Sequence, residues 1–319
     1  MADLHQIHAK MQVVKDRMAR IILGQDTALE HLLTCFLAGG HVLLEGVPGL
    51  GKTLLARSLA KLVYARFRRI QFTPDLLPSD IIGTNVFNPK TMEFALHKGP
   101  VFTEILLADE VNRTPPKSQA ALLEAMEERQ VTIDGVRNIL SPLFFVIATQ
   151  NPLEYEGTYP LPETQLDRFM MKVTLDYPPP DAELDVIRSY SAGKDLHKVD
   201  AIITGPLLSR EEVADFRMSL VPVTVKEEVM KYILRITSET RDPNYVQLGA
   251  SPRAGVALLR AARALAALRG MEFVTPDEVK DTARPVLRHR VILRPEALID
   301  GLTSDDFLEG ILKRVAVPR

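Results

Sequence analysis

Hydrophobic and polar positions divide the chain into two unlike parts. Short apolar runs recur through the first: Val42-Leu43-Leu44, Ile105-Leu106-Leu107-Ala108 and Leu143-Phe144-Phe145-Val146-Ile147-Ala148. Apolar runs of this length, bounded by polar residues, predict strands buried on both faces of a parallel sheet. Arg69-Ile70-Gln71-Phe72 and Phe169 to Leu175 predict two more strands. Helical spacing lies between them. Two helices are expected before residue 40, with a break near Leu23-Gly24-Gln25-Asp26, and one from Leu54 to about Arg66. Another follows Pro115-Pro116, with Ala121, Leu122, Ala125 and Met126 on one face. Two hairpins interrupt the alternation. In one, Ile81–Phe87 and Phe94–Leu96 flank Asn88-Pro89-Lys90-Thr91; in the other, Asp134-Gly135 sits between alternating apolar residues, a strong tight-turn signal.

Pro178-Pro179-Pro180 is stiff and cannot continue a strand ladder, so a boundary is expected there. The division predicted is a nucleotide-binding core over 1–177, a linker over 178–181 and a small helical domain over 182–319. Beyond the linker, Ser209…Glu212, Thr224…Glu227 and Thr275…Glu278 have capping-box spacing. Ser251-Pro252 starts a helix whose broad apolar face carries Leu258, Leu259, Ala262, Leu265, Ala266 and Leu268.

Composition changes this picture only by exclusion. The chain has 319 residues, 46% hydrophobic and 25% charged, with a formal net charge of -2, so no general attraction for nucleic acid or anionic lipid is expected. The single cysteine, Cys35, lies in an apolar helix and reads as core. The first twenty residues have no apolar block, and no run approaches the ~18 residues of a membrane span, so neither a leader nor membrane insertion is expected and cytoplasm is the default.

The chemistry begins at Gly46-Val47-Pro48-Gly49-Leu50-Gly51-Lys52-Thr53, placed between an apolar strand and a helix that opens with Leu54. Glycines let backbone N–H groups turn inward, and the helix N-terminus adds partial positive charge, which suits anionic oxygens. Lys52 supplies a full charge for the outer phosphates and Thr53 a hydroxyl ligand for Mg²⁺. Three strands then end in polar residues: Glu45-Gly46, Asp109-Glu110 and Gln150-Asn151. In an open α/β sheet such ends converge on a ligand. Asp109 is placed to hold Mg²⁺, through water, and Glu110 to orient and polarise an attacking water. Asn151 is placed to hold that water or a γ-phosphate oxygen. Two solvated acids at a strand end are the plain alternative, weakened by the phosphate loop upstream. The turn Ile22-Leu23-Gly24-Gln25 either lays apolar groups against a base or simply joins two helices; Gly24 and Gln25 are carried as candidate nucleotide contacts.

Together these motifs resemble the AAA+ ATPases: Gly46 to Thr53 as Walker A, Leu106 to Glu110 as Walker B, Thr149-Gln150-Asn151 as sensor 1, Gln165-Leu166-Asp167-Arg168-Phe169, and Ser251-Pro252-Arg253. Gly39 to Gly46, Phe72 to Asp80 and Gly157 to Glu163 are similar to the MoxR group, and the resemblance runs from about Ile22 to the last helices. It implies an α/β fold: a P-loop core with a parallel sheet of strand order 5-1-4-3-2, a small all-α lid, and a ring, usually hexameric. It implies ATP and Mg²⁺ as cofactors. Arg168 matches an arginine finger acting in trans on a neighbour's γ-phosphate, and Arg253 the sensor 2 arginine of the lid; Arg113 is a further charge expected at the subunit boundary. Residues 77–100 match the insert in helix 2, expected either to touch a partner or to pack within the ring. Such proteins are thought of as chaperone-like motors that work with von Willebrand factor A-domain partners.

Four functions compete: a protein-remodelling ATPase, the motor subunit of a metal chelatase, a DNA-acting motor and a small-molecule kinase. The inserted hairpins carry few basic residues (Arg137, Lys90 and Lys98), so counterion release on DNA would be small. The two arginine candidates argue against a kinase. A protein-remodelling ATPase is the expectation, with the chelatase motor next.

Overall fold

The computed structural model describes residues 3–152 and 158–318; Gly157 of the MoxR-like phrase lies outside them. Nine strands of the first part are β1 (Val42–Glu45), β2 (Phe67–Gln71), β3 (Gly83–Asn88), β4 (Glu93–Lys98), β5 (Ile105–Asp109), β6 (Gln130–Ile133), β7 (Val136–Ile139), β8 (Phe145–Gln150) and β9 (Met171–Thr174). Five form one sheet in the order β2-β5-β8-β1-β9, every pairing parallel. Numbering only these five in chain order, the arrangement is the expected 5-1-4-3-2 read from the other edge.

Alternation along each strand sends side chains to two apolar clusters. Val42, Leu44, Ile105, Leu107, Phe145 and Ile147 face the cluster built with the first three helices and the lid. Leu43, Leu106, Ala108, Val146 and Ala148 face a second, closed by the helix Pro116–Glu128. Full burial of one such side chain contributes about 1.5–3 kcal/mol, so the middle strands are fixed firmly. Register then aligns Glu45 with Gln150 and Gln71 with Asp109, bringing the polar strand ends into one row.

Both hairpins form. β3 and β4 pair from Gly83↔Lys98 to Asn88↔Glu93. The residues before them differ from expectation: Pro78–Ile82 is a short helix, with proline at its start, so β3 begins later than Ile81. β6 and β7 turn at Asp134 and Gly135, both at positive φ (47° and 79°), as a tight Asp-Gly hairpin requires. Asn85 Nδ2 donates to Asp134 Oδ2 at 2.8 Å, tying one hairpin to the other.

The lid is helical, with one short two-stranded ribbon of Val246–Leu248 and Ile292–Leu293. Ser209…Glu212 and Thr275…Glu278 form their capping boxes. Thr224…Glu227 does not. Thr224 is drawn into a bridge with Phe273, its N–H bonding the Glu272 carbonyl, and the residue before the helix Glu227–Glu239 is Lys226, which makes no side-chain capping bond. The helix Pro252–Leu268 packs on the helices Leu4–Ala19 and Asp26–Leu37, and Pro276–Leu287 packs on β9. One apolar cluster therefore runs across the proline stretch at 178–181, and Pro180 is the first residue of a helix, Pro180–Ser191. Among the described residues no helix is long and apolar enough to cross a membrane.

Candidate active site

The phosphate loop joins β1 to the helix Lys52–Leu62. Gly51, the residue capping that helix, has φ 77° and Gly49 has φ 92°, a region where a side chain is strained. A Cβ at Gly46 would meet the Leu175 carbonyl at 2.8 Å, so the chain leaves β1 hard against the end of β9. Pro48 and Gly49 are exposed, Val47, Leu50 and Thr53 half-buried, and Leu54 is buried beneath the loop. Lys52 Nζ donates to the Gly46 carbonyl at 2.6 Å, which folds the ammonium over the loop. A cradle with open glycine positions, a helix N-terminus and a lysine aimed across it fits a nucleoside triphosphate.

The carboxylates stand at the adjacent strand end. Asp109 Oδ1 accepts from the Thr149 hydroxyl at 2.5 Å, and Oδ2 accepts from Arg69 Nη2 at 2.6 Å and Nε at 3.1 Å. Glu110 has φ 58°, an uncommon conformation for a non-glycine residue, and its N–H donates to the same Thr149 hydroxyl at 2.9 Å. Its carboxylate accepts from Gln71 Nε2 at 2.6 Å and pairs with Arg113 Nε at 3.2 Å. Thr149 thus locks both acids from the neighbouring strand, and β2 supplies Arg69 and Gln71, two residues apart and on one face. Asn151 follows β8 and is buried. The hard oxygen of Asp109 beside the Thr53-bearing loop suits Mg²⁺.

Sequence reasoning did not find Thr149, Arg69 or Gln71 as holders of the acids. The available signal was their position: polar residues on strands flanking Asp109, at or next to the strand ends. Arg113 stands beside Glu110 of its own chain, within this site.

Gly24 has φ 71°, and a Cβ on it would meet Ala182 Cβ at 2.8 Å and Pro178 Cβ at 2.9 Å. Gln25 Nε2 donates to the Asp176 carbonyl at 2.6 Å. Ile22 Cδ1 lies 3.9 Å from where a Gly51 Cβ would be. The turn is a tight helix–helix connection wedged between the phosphate loop and the linker.

The remaining two candidates lie elsewhere. Arg168 Nη1 bonds the Leu123 carbonyl at 2.8 Å and Glu127 Oε2 at 2.8 Å. Arg253 Nη2 reaches Glu127 Oε1 at 3.2 Å, and its Nη1 stands 3.8 Å from Asp167, which also holds Arg290 Nε at 2.6 Å. An arginine from the core and one from the lid therefore share one carboxylate. They surround a pocket of about 330 Å³ that includes Gly39, Gly40 and His41, the residues leading into β1. Met126, at the far end of the returning helix, bonds His41 through its carbonyl at 3.2 Å. The phosphate loop leaves the opposite end of the same strand. At about 3.3 Å per residue, His41 and Gly46 are roughly 16 Å apart. Arg168 and Arg253 are brought together with each other and kept away from their own phosphate loop.

His41, buried and bonded to backbone, is pushed down to about 3 by burial. It stays neutral at physiological pH.

Residues 41–171 match the family described as ATPase family associated with various cellular activities (AAA), and residues 238–311 match the AAA lid domain. The chain is 42% identical to chaperone MoxR1 of Mycobacterium tuberculosis, over all of this chain and 84% of that protein. It is 44% identical to the uncharacterized protein YeaC of Bacillus subtilis, over all of this chain and 98% of that one. A crystal structure of a candidate ATPase from Cytophaga hutchinsonii superposes with a TM-score of 0.89 at 42% identity, covering 99% of this chain and 97% of that one. With the loop, the paired acids and the five-stranded order already in view, these likenesses make the chain a member of the MoxR-type AAA+ ATPases, an ATP hydrolase with a helical lid.

Proposed function

We propose that the chain works as a ring, a hexamer of identical subunits, that uses Mg²⁺-dependent ATP hydrolysis for chaperone-like remodelling or maturation of protein partners. The observation that carries this reading is that the arginine pair gathers at the His41 end of β1, whose other end carries the phosphate loop of the same chain. A site with both parts needs two subunits.

Within that site Lys52 meets the outer phosphates, and the turn at Gly24 and Gln25 lies beside the base. Bound Mg²⁺, on the Thr53 hydroxyl and through water on Asp109, would draw charge from the phosphate oxygens. Glu110, steadied by Gln71, orients the attacking water and takes its proton. Asn151 holds that water or a γ-phosphate oxygen. From the neighbour, Arg168 and Arg253 meet the charge that builds on the transferred group.

The chaperone name of the mycobacterial relative supports a protein substrate. So do the hairpins, whose exposed residues include the apolar Val86, Phe87, Met92, Phe94, Val136 and Ile139. Exposed apolar strands of this kind suit polypeptide better than a phosphate backbone. A von Willebrand factor A-domain protein in the cytoplasm is the partner class we favour. Replacing residues 84–96 with a short Gly-Ser turn tests the reading. Basal ATPase should persist while stimulation by such a partner disappears; stimulation that survives the replacement would exclude the hairpin from partner coupling.

A further inference from the structure

The arginine end of the sheet carries more positive charge than its own acids balance. Arg129, Arg260 and Arg217 come from three elements, and their guanidinium nitrogens lie 3.6, 3.7 and 3.8 Å from where a Gly39 Cβ would be. They donate only to carbonyl oxygens, those of Phe36, Ala38, Gly39 and Pro142. Among the described residues none of the three has a carboxylate in ion-pair range, because Glu127 and Asp167 are engaged by Arg168, Arg253 and Arg290. Burial, with Arg129 alongside, pushes Arg217 down to about 10 and Arg260 in the same direction, a sign of crowded like charge. Val256, 57% exposed, stands on the rim of this pocket.

The helix Pro180–Ser191 has the opposite character. It has no buried residue. Leu184, Ile187 and Tyr190 are 42%, 65% and 43% exposed, and at 100° per residue they fall within about 120° of its circumference. Single exposed apolar residues mean little, but three on one face of a helix that buries nothing call for a cover. Glu183 falls within this stripe and Asp181 about 60° beyond its Leu184 edge. Asp185, about 100° beyond it, pairs with the one base, Arg188, so the helix is acidic and Asp181 and Glu183 are left without a base on it. Its first turn touches the Gly24 turn, which itself touches the phosphate loop.

Resting on the trans-acting reading of Arg168 and Arg253, we infer that the apolar, acidic face of the helix Pro180–Ser191 is the seat of a second copy of this chain, which docks there through the lid-helix surface of Val256 and Arg260. The lengths agree. Val256 and Arg260 are on the two turns after Arg253, reaching about 10 Å along their helix, and the receiving helix is about 18 Å long. A copy that delivers Arg253 to a neighbour's triphosphate lays those turns alongside the helix that starts there. Unbalanced arginines then meet unbalanced acids, which sets the orientation of docking. Because the two patches differ, the contact is head-to-tail and repeats around a ring.

Ile187→Asp is the test, since its side chain is exposed and the variant should melt like the parent. In a Glu110→Gln background with ATP, sedimentation should find association roughly 30- to 100-fold weaker, while fluorescent-ATP binding to the single copy is unchanged. A second measurement mixes Ile187→Cys with Val256→Cys chains and adds a short bismaleimide; the only native cysteine, Cys35, is buried. Cross-linked dimers should form in the mixture and in neither variant alone. Wild-type assembly of Ile187→Asp, or cross-linking of position 187 to itself, would overturn the seat. Arg168→Ala separates the two claims. If it hydrolyses ATP normally, the trans reading fails; if it is inactive while Ile187→Asp is normal, only the seat is wrong.

Discussion

Replacing Thr149 by valine probes the lock on the two acids. Valine has nearly the shape of threonine, so packing changes little, but the hydroxyl that bonds Asp109 Oδ1 at 2.5 Å and receives the Glu110 N–H at 2.9 Å is gone. Thr149 is fully buried, so water does not replace it. A bond to a charged acceptor is worth about 1.5–3 kcal/mol, and an ordinary one about 0.5–1.5 kcal/mol. Together the loss should be roughly 2–4 kcal/mol in urea unfolding. Glu110 is held at a strained φ of 58°, and without its N–H partner it should relax toward an ordinary conformation. Turnover should therefore fall while ATP affinity, which rests on the phosphate loop, stays near normal. Thr149→Ser keeps the hydroxyl and should recover most of both losses. A valine variant as stable and active as the parent would refute the lock.

Glu110→Gln should bind ATP yet hydrolyse it ~10²–10⁴-fold more slowly, since an amide keeps the shape but cannot take a proton; single-turnover hydrolysis at the parent rate would remove Glu110 from the mechanism. Acid should destabilise the fold early through His41, whose folded pKa of about 3 lies below its unfolded value near 6.5. Its contribution is complete above about pH 6.5 and is lost as pH falls toward 3, by up to about 1.4 kcal/mol per pH unit. Urea unfolding at pH 7.5 and 5 measures this, and His41→Gln should reduce the difference, the rest belonging to His289 and His31, which burial also pushes down; an equal pH dependence in both proteins would contradict it.

What the sequence disclosed and what it hid follow a physical division. The phosphate loop and the strands β5 and β8 were legible because their signals are local: glycines where φ must be positive, and apolar runs that only a buried sheet accepts. That Arg168 stands away from the phosphate loop was also legible, since it precedes β9 in a sheet whose ligand end lies after each strand. Gln71 and Arg69 were not, because their partners Glu110 and Asp109 are remote in sequence and meet them only through register. Thr224 misled for the complementary reason: its local capping signal lost to a tertiary bridge with Phe273. Pro178 to Pro180 read as a spacer, yet proline is favoured at a first helical position, and the helix begins at Pro180. The arrangement of arginines around Glu127 joins core and lid, and no local pattern announces it.

The central claim, that an active site is shared between two copies, is tested most directly by mixing two inactive variants. Lys52→Ala lacks a working phosphate loop but keeps Arg168; Arg168→Ala keeps the loop but has no finger. Each alone should be nearly inactive, the second because an arginine finger is worth roughly 10³–10⁵ in rate where measured in GTPases. In a mixed ring, some boundaries join the intact loop of one chain to the Arg168 of the other. ATPase activity should reappear on mixing and rise more steeply than linearly with total protein. Activity that stays absent at every mixing ratio, with a parent enzyme whose specific activity is unchanged on dilution to monomer, would contradict the shared site.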